Sequence, residues 1–369
     1  MTTPNITVDG LPAVDPTPAT GPSPEAAPTP PDAGTTPPET APDPSRRRRI
    51  RMILALLLGG LLLLFLAFVL WYLLFRKPIS QLPIPNLDQG KVPAFAFAAY
   101  DLQKPLGIAV SADGGHIYVT QTGGGQEALI LDGSGTRIGE LKPPTDVSAR
   151  ASQIYVAVDP KTNDVYTTDR AAGRVYIYTA DGTYKGILTP DPDPGVWQPL
   201  GIAFDRDGNL YVSDAGGAFQ TVREIDRNGN VVLTIGEQGM LNFPNGIAVD
   251  RNGDIYITDS NNGRLMVFDK QGTKLGLVQR GPAMGELSLP RGIAIDDQNK
   301  VYVVDAVGQG VQVYREMAKD DQAPLYLNRF GREGTVDGAF EFPNGIAVDG
   351  RGRVYVADWN NDRIQIWSY

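Results

Sequence analysis

No cysteine occurs among the 369 residues, and histidine occurs once, as His116. The first absence removes disulfide staples and zinc–thiolate sites. The second removes a catalytic zinc site built mainly on imidazole, and with it any Ser/His/Asp arrangement away from that position. No glycine-rich loop is patterned to cradle phosphate; the 42 glycines read as turn residues. Basic residues are missing from the first 45 positions, and Asn-x-Ser/Thr is missing from residues 78–369. That stretch carries 36 acidic and 26 basic residues, a net charge of −10. Releasing the counterions of a nucleic acid needs a cationic surface, so nucleic acid is excluded as a partner.

The chain begins with low complexity. Residues 1–45 hold 13 prolines and six acids, with Thr, Ala, Ser and Gly filling much of the rest. Such a segment cannot bury enough apolar surface to offset the entropy of ordering, so it reads as a disordered tail. Four arginines, Arg46 to Arg49, and Arg51 precede 23 uncharged residues, 53–75, and Arg76-Lys77 follow. As a helix that run spans about 34 Å, enough for a hydrocarbon core of about 30 Å. Trp71 and Tyr72 suit the interface, and no small-x-small cleavage site follows. Residues 46–77 therefore read as one transmembrane helix with basic flanks, and 78–92 as a Pro- and Gly-containing linker. The arginine excess before the span leaves the N-terminus cytoplasmic and everything after it outside. The expected place is a plasma membrane crossed once, and the lack of sequons fits a bacterial envelope.

From residue 93 onward the pattern is a repeat. The stretch 244–278 contains four short runs of near-alternating apolar residues, separated by Asp-, Asn- and Gly-rich turns. Its first run, Gly246–Val249, recurs as GIAFD at 201–205, GIAID at 292–296 and GIAVD at 345–349, as GIAVS at 107–111 and, more diverged, as YVAVD at 155–159. Each is followed by a second run carrying tyrosine (Tyr118, Tyr166, Tyr211, Tyr256, Tyr302, Tyr355), and five of these end in aspartate, where the first has Gln121. The repeats step by 48, 46, 45, 46 and 53 residues, the period of four-stranded propeller blades. The sixth repeat stops at its third strand. The apolar segment 93–100 lies ahead of the first repeat, where a fourth strand is wanted, and is expected to pair with 363–367 and close the ring. The expectation is an all-β, six-bladed β-propeller of four-stranded blades, preceded by a single transmembrane helix and a disordered N-terminal tail.

PNGIAVDRNGDIYITDSNNGRLMVFD and PNGIAVDGRGRVYVADWNNDRIQIW resemble NHL repeats, over about residues 93–369. The resemblance implies the propeller fold and pairs the strand-two aspartate with the Arg of Asn-x-Arg, Asp259 with Arg264 and Asp358 with Arg363. It resembles the external sensor half of receptor kinases, here without a kinase. The lyase branch of the family relies on several histidines around zinc, which this chain cannot supply.

Loops leading into the inner strands, and loops joining strands two and three, converge on one mouth of the central channel. The ligand-binding residues expected there are Trp197, Leu200, Asn245, Arg291, Asn344 and Trp359, since arginine and aromatics dominate binding energy. The ring of aspartates shows no spacing that would gather the six to eight oxygens calcium needs, and no metal or cofactor is expected. The reading is a non-catalytic binding or sensing scaffold for a protein, peptide or cell-envelope glycan, with the membrane as its other partner through residues 53–75. The alternative is a hydrolase or lyase using a carboxylate-held divalent metal at the channel mouth.

Overall fold

The structure, a computed structural model, describes residues 44–75 and 90–369 except 127, 149, 150, 194, 237, 238, 319 and 320. Nearly all of the expected tail and linker lies outside these residues. The chain divides into two units, Met1–Leu82 and Pro83–Tyr369.

In the first unit a helix runs from Pro44 to Phe75, 32 residues. Its arginine cluster falls in the opening turns and its leucines follow without a polar face, as the sequence requires. Every described side chain from Met52 to Ala67 is exposed. Among the described residues no helix is long and apolar enough to cross a membrane.

The second unit holds six antiparallel four-stranded sheets. Their first strands are Pro105–Val110, Tyr155–Val158, Pro199–Phe204, Pro244–Val249, Pro290–Ile295 and Pro343–Val348. These line a central channel that narrows to a cavity of about 40 Å³. Blade four, with strands Pro244–Val249, Ile255–Asp259, Arg264–Phe268 and Lys274–Val278, keeps the expected order with ends shifted by a residue or two.

The apolar residues of each sheet meet those of the next blade, giving six core clusters for six interfaces. The inner strands can approach because four of them, with blade one, carry glycine. A Cβ on Gly246 would stand 2.6 Å from the Arg291 carbonyl oxygen, one on Gly292 2.6 Å from that of Asn344, and one on Gly107 2.7 Å from that of Ile154. Gly201 and Gly345 abut the carbonyls of Asn245 and Leu106 in the same way. The ring is therefore tightest where a side chain would be least tolerable.

Closure follows the expectation. Ala94–Ala99 pairs antiparallel with Arg363–Ser368, Phe95 opposite Trp367 and Ala99 opposite Ile364. Trp367 is held by Phe95 at 6.0 Å, Phe340 at 5.7 Å and Phe330 at 4.7 Å between ring centroids. The segment 316–342 joins the third strand of blade five to the first strand of blade six. It contains the fourth strand of blade five, Leu325–Phe330. Residues before that strand turn at the opposite end and lie on blade four, where the Met317 amide donates to the Tyr256 hydroxyl at 2.9 Å and the Leu277 amide to the Gln322 carbonyl at 3.1 Å.

Candidate binding face and channel mouth

Antiparallel alternation puts the loops between strands two and three, and the segments leading into each blade, at one end of the propeller. That end is called the top, and the turns between strands one and two are at the bottom. The aspartates ending strand two hold the top together. Asp169 accepts the Ser152 amide at 2.8 Å, Asp214 that of Gln198 at 2.9 Å, Asp259 that of Asn242 at 2.7 Å, Asp305 that of Ser288 at 2.8 Å and Asp358 that of Glu341 at 2.8 Å. Blade one uses Gln121 for the same purpose, its side-chain oxygen accepting the Gln103 amide at 2.6 Å. The arginine pairs implied by the repeat are present, Arg264 Nε on Asp259 at 2.7 Å and Arg363 Nε on Asp358 at 2.9 Å. These carboxylates thus face backbone amides of the segments leading into their blades and, in blades three, four and six, a guanidinium of the same blade. Among the described residues no group of three or more His, Cys, Asp or Glu could hold a metal ion.

The bottom turns use their aspartates locally. Asp205, Asp250, Asp296 and Asp349 each accept the amides two and four residues on, at 2.8 to 3.0 Å. In three of them the second oxygen meets the strand-two tyrosine, Tyr256 at 3.4 Å, Tyr302 at 2.9 Å and Tyr355 at 3.1 Å, whereas that of Asp205 takes the Asn209 side-chain amide at 2.9 Å. The repeated Asp…Tyr pattern is therefore a turn clamp. Gly253 closes one such turn at φ 85°, and Asn299 takes the same left-handed place in blade five at φ 59°. Asp254 lacks such a clamp. Burial first, and then the neighbouring Asp250 and Asp269 carboxylates, push its pKa up to about 6. His116 opens the second strand of blade one at this end, stacked on Tyr118 with ring centroids 6.3 Å apart.

The six residues expected to bind ligand share the top end but differ in availability. Trp197, Leu200 and Asn245 are buried. Trp197 turns inward and donates its indole N–H to the Gly173 carbonyl at 2.9 Å. Asn245 and Asn344 both accept from the Tyr155 hydroxyl, the latter at 2.7 Å. Tyr155 stands where four other repeats and blade one have the inner glycine, and its hydroxyl reaches across the channel to blades four and six. Burial holds its phenol well above the ordinary value, so it remains a neutral donor. Its role was not anticipated, although a tyrosine at a glycine position was the available signal. Arg291 and Trp359 are half-buried. The Trp359 indole donates to Thr122 Oγ1 at 2.9 Å, with Lys104 Nζ 5.2 Å above the ring. Arg291 and Arg170 border the same Phe243 ring, at 5.5 and 5.4 Å.

Most of the large apolar residues that stay exposed in the propeller lie at this end as well, Val92 ahead of the closing strand being at the other. Val196, Phe219, Met240, Met284, Val307 and Phe342 all lie on top loops or blade lead-ins. Ile138, Ile187, Val232 and Leu275 lie on outer fourth strands, and no bottom turn between strands one and two carries any among the described residues.

The fold defines a class, the six-bladed β-propeller with four-stranded blades and a closing strand from the opposite end of the chain. Within that class two of the repeats match the NHL repeat family, at residues 241–268 and 340–367. The B-box type zinc finger protein ncl-1 of Caenorhabditis elegans is 45% identical over 47 residues, which is 13% of this chain and 6% of that protein. Solved structures of similar fold include a streptogramin B lyase, 16% identical with TM-score 0.52, covering 74% of this chain and 96% of that one. Virginiamycin B lyase of Staphylococcus aureus is 18% identical with TM-score 0.50 over 72% and 95% of the two chains. A protein of unknown function from Bacteroides thetaiotaomicron is 16% identical with TM-score 0.55 over 76% and 73%. At these identities the likeness to solved structures shows the fold alone.

Proposed function

We propose that the propeller is a non-catalytic binding module that takes a protein or peptide ligand on its top face, and that residues 46–77 hold it at a plasma membrane in a single pass with the propeller outside. The observation that carries the binding reading is the segregation of exposed apolar side chains to the top, with Phe219 65% and Phe342 42% exposed. Monomer surfaces rarely keep such residues together without a use for them. The membrane reading rests on composition: 24 uncharged residues, 52–75, between five arginines and Arg76-Lys77, in a chain whose helix runs from Pro44 to Phe75.

The test begins with a partner crosslinked to the full chain on intact cells and identified by mass spectrometry. Phe342→Ala, Phe219→Ala and Trp359→Ala should each weaken its binding by about 1–3 kcal/mol, with the fold kept. Arg251→Ala and Lys270→Ala, in bottom turns, should leave it unchanged. A partner that proves to be a glycan would move the ligand class but keep the face. Protease added to spheroplasts should digest the propeller and spare a tag at Thr2; the reverse pattern overturns the external placement.

The lyase reading has the fold likeness in its favour. One of the similar structures is a virginiamycin B lyase rendered inactive by replacing a histidine. In this chain the single histidine, His116, lies at the end opposite the channel mouth. Metal analysis of the purified protein decides between the readings: a stoichiometric divalent ion bound at the mouth would favour the enzyme.

A further inference from the structure

Around the top mouth run three rings with one position per blade: the residue just before the inner-strand glycine position, such as Asn245; the residue just after strand two, such as Ser260; and the residue three before the glycine position, such as Phe243. Across all of these positions the sequence places Lys104, Arg170 and Arg291 and not one Asp or Glu. That is a departure from a region, 78–369, whose net charge is −10. The aspartates nearby end strand two and point at backbone amides, so they do not neutralise the mouth.

The three cations are not alike. Lys104 is satisfied, with Asp362 at 3.6 Å and the Asn360 side-chain oxygen at 3.1 Å. Among the described residues, Arg170 and Arg291 have no carboxylate within ion-pair distance. Arg170 reaches only the Ala215 carbonyl, at 3.4 Å, and its Nε is buried with no hydrogen-bond partner. Both guanidiniums border the Phe243 ring. Two like charges held at one aromatic ring, one of them with an unused donor, leave a position that an anion would satisfy. Beneath them the Tyr155 hydroxyl spans the channel to Asn344 at 2.7 Å.

Resting on the reading of the top as the ligand face, we infer that Arg170 and Arg291 capture a carboxylate, carried by an acidic segment of a protein partner. A single carboxylate flanked by apolar side chains matches both the two arginines at the Phe243 ring and the exposed Phe219, Val307 and Phe342 on loops of the same end. A long polyanion does not, because the rest of the propeller surface repels it.

The experiment uses the full chain in detergent and a short fluorescent peptide alternating Glu and Leu, compared with its Gln-for-Glu counterpart, inorganic phosphate and single-stranded RNA. The Glu peptide should bind about tenfold or more better than the Gln peptide, with a preference that shrinks as salt is added. Arg170→Gln and Arg291→Gln should each remove most of that preference, while Arg170→Lys keeps part of it and shows that the site still folds. Arg251→Gln should change nothing. Phe342→Ala should weaken both peptides equally. If both peptides bind alike and Phe342→Ala weakens both, the top-face reading stands and the carboxylate inference falls. The inference is also overturned if the preference survives both arginine variants, if RNA or phosphate displaces the Glu peptide at lower concentration than the Gln peptide does, or if the Glu peptide does not bind.

Discussion

The two ends of the propeller are made by the same strands, yet they treat polar groups in opposite ways. At the bottom, Asp205, Asp250, Asp296 and Asp349 close their own turns, each within four residues of the amides it accepts. Charged groups there meet one another at the surface, as Arg206 and Arg251 do on Asp297 at 2.6 and 3.3 Å. At the top, each strand-two aspartate reaches back about seventeen residues to the segment arriving from the previous blade. The carboxylates are consumed in fixing blade to blade, and apolar side chains and two arginines remain outward. A repeat whose bottom is self-sufficient can vary at its top, because the inter-blade clamps hold whatever loop is inserted between them.

The largest way to disturb this arrangement is to open the ring. Deleting residues 93–100 strips Ala94–Ala99 from Arg363–Ser368 and uncovers Trp367. The loss of burial should be on the order of 5 kcal/mol, read as a fall in melting temperature of roughly 10 °C or more in the full chain. An unchanged melting temperature would mean that the closing strand contributes nothing.

The top clamp is the next target. Asp358 and Arg363 are both almost wholly buried, whereas Arg264 beside Asp259 is 29% exposed. Arg363→Ala leaves a buried carboxylate without its cation and should cost about 3–5 kcal/mol. Arg264→Ala should cost clearly less, since water can reach the vacated place. Equal losses in chemical denaturation would show that burial does not set the strength of the clamp.

The bottom offers a pH-dependent counterpart. Asp254 has a folded pKa of about 6, above the ordinary 3.8. A carboxyl raised in this way favours folding while protonated, and that advantage is lost as pH rises from about 4 through about 6. Asp254→Asn should therefore raise stability at pH 7 by about 1 kcal/mol, allowing for solvent screening, and change little at pH 4. Stabilisation that is the same at both pH values would point to packing and away from charge. Least of all should come from the exposed bottom network: Arg206→Ala should stay within about 0.5 kcal/mol of wild type in the same denaturation series.

Much of this architecture can be read from the residues. The alternation of Gly246–Val249, the spacing of Tyr256 and Asp259 behind it, and the orphan strand 93–100 are consequences of period-two side chains and of a sheet that needs its neighbours. The pairing of Asp259 with Arg264 followed from the repeat as well. The mouth was less legible. Tyr155 reaches Asn344 across the ring, 189 positions along the chain, a contact no local spacing encodes. Trp197 looked like a ligand aromatic, but the path of its loop carries the indole inward to Gly173. Exposure depends on loop paths and on distant blades, and neither is a property of the repeat.

The most direct test of the account is hydrogen–deuterium exchange on the full chain with and without its crosslinking-identified partner. Protection should appear in the top loops at 215–220, 260–263, 306–309 and 359–362 and in the lead-ins at 240–243 and 340–343. The bottom turns at 205–208, 250–253, 296–299 and 349–352 should exchange as before. Protection confined to those bottom turns, with the top unchanged, would contradict the claim that the variable end is the working face.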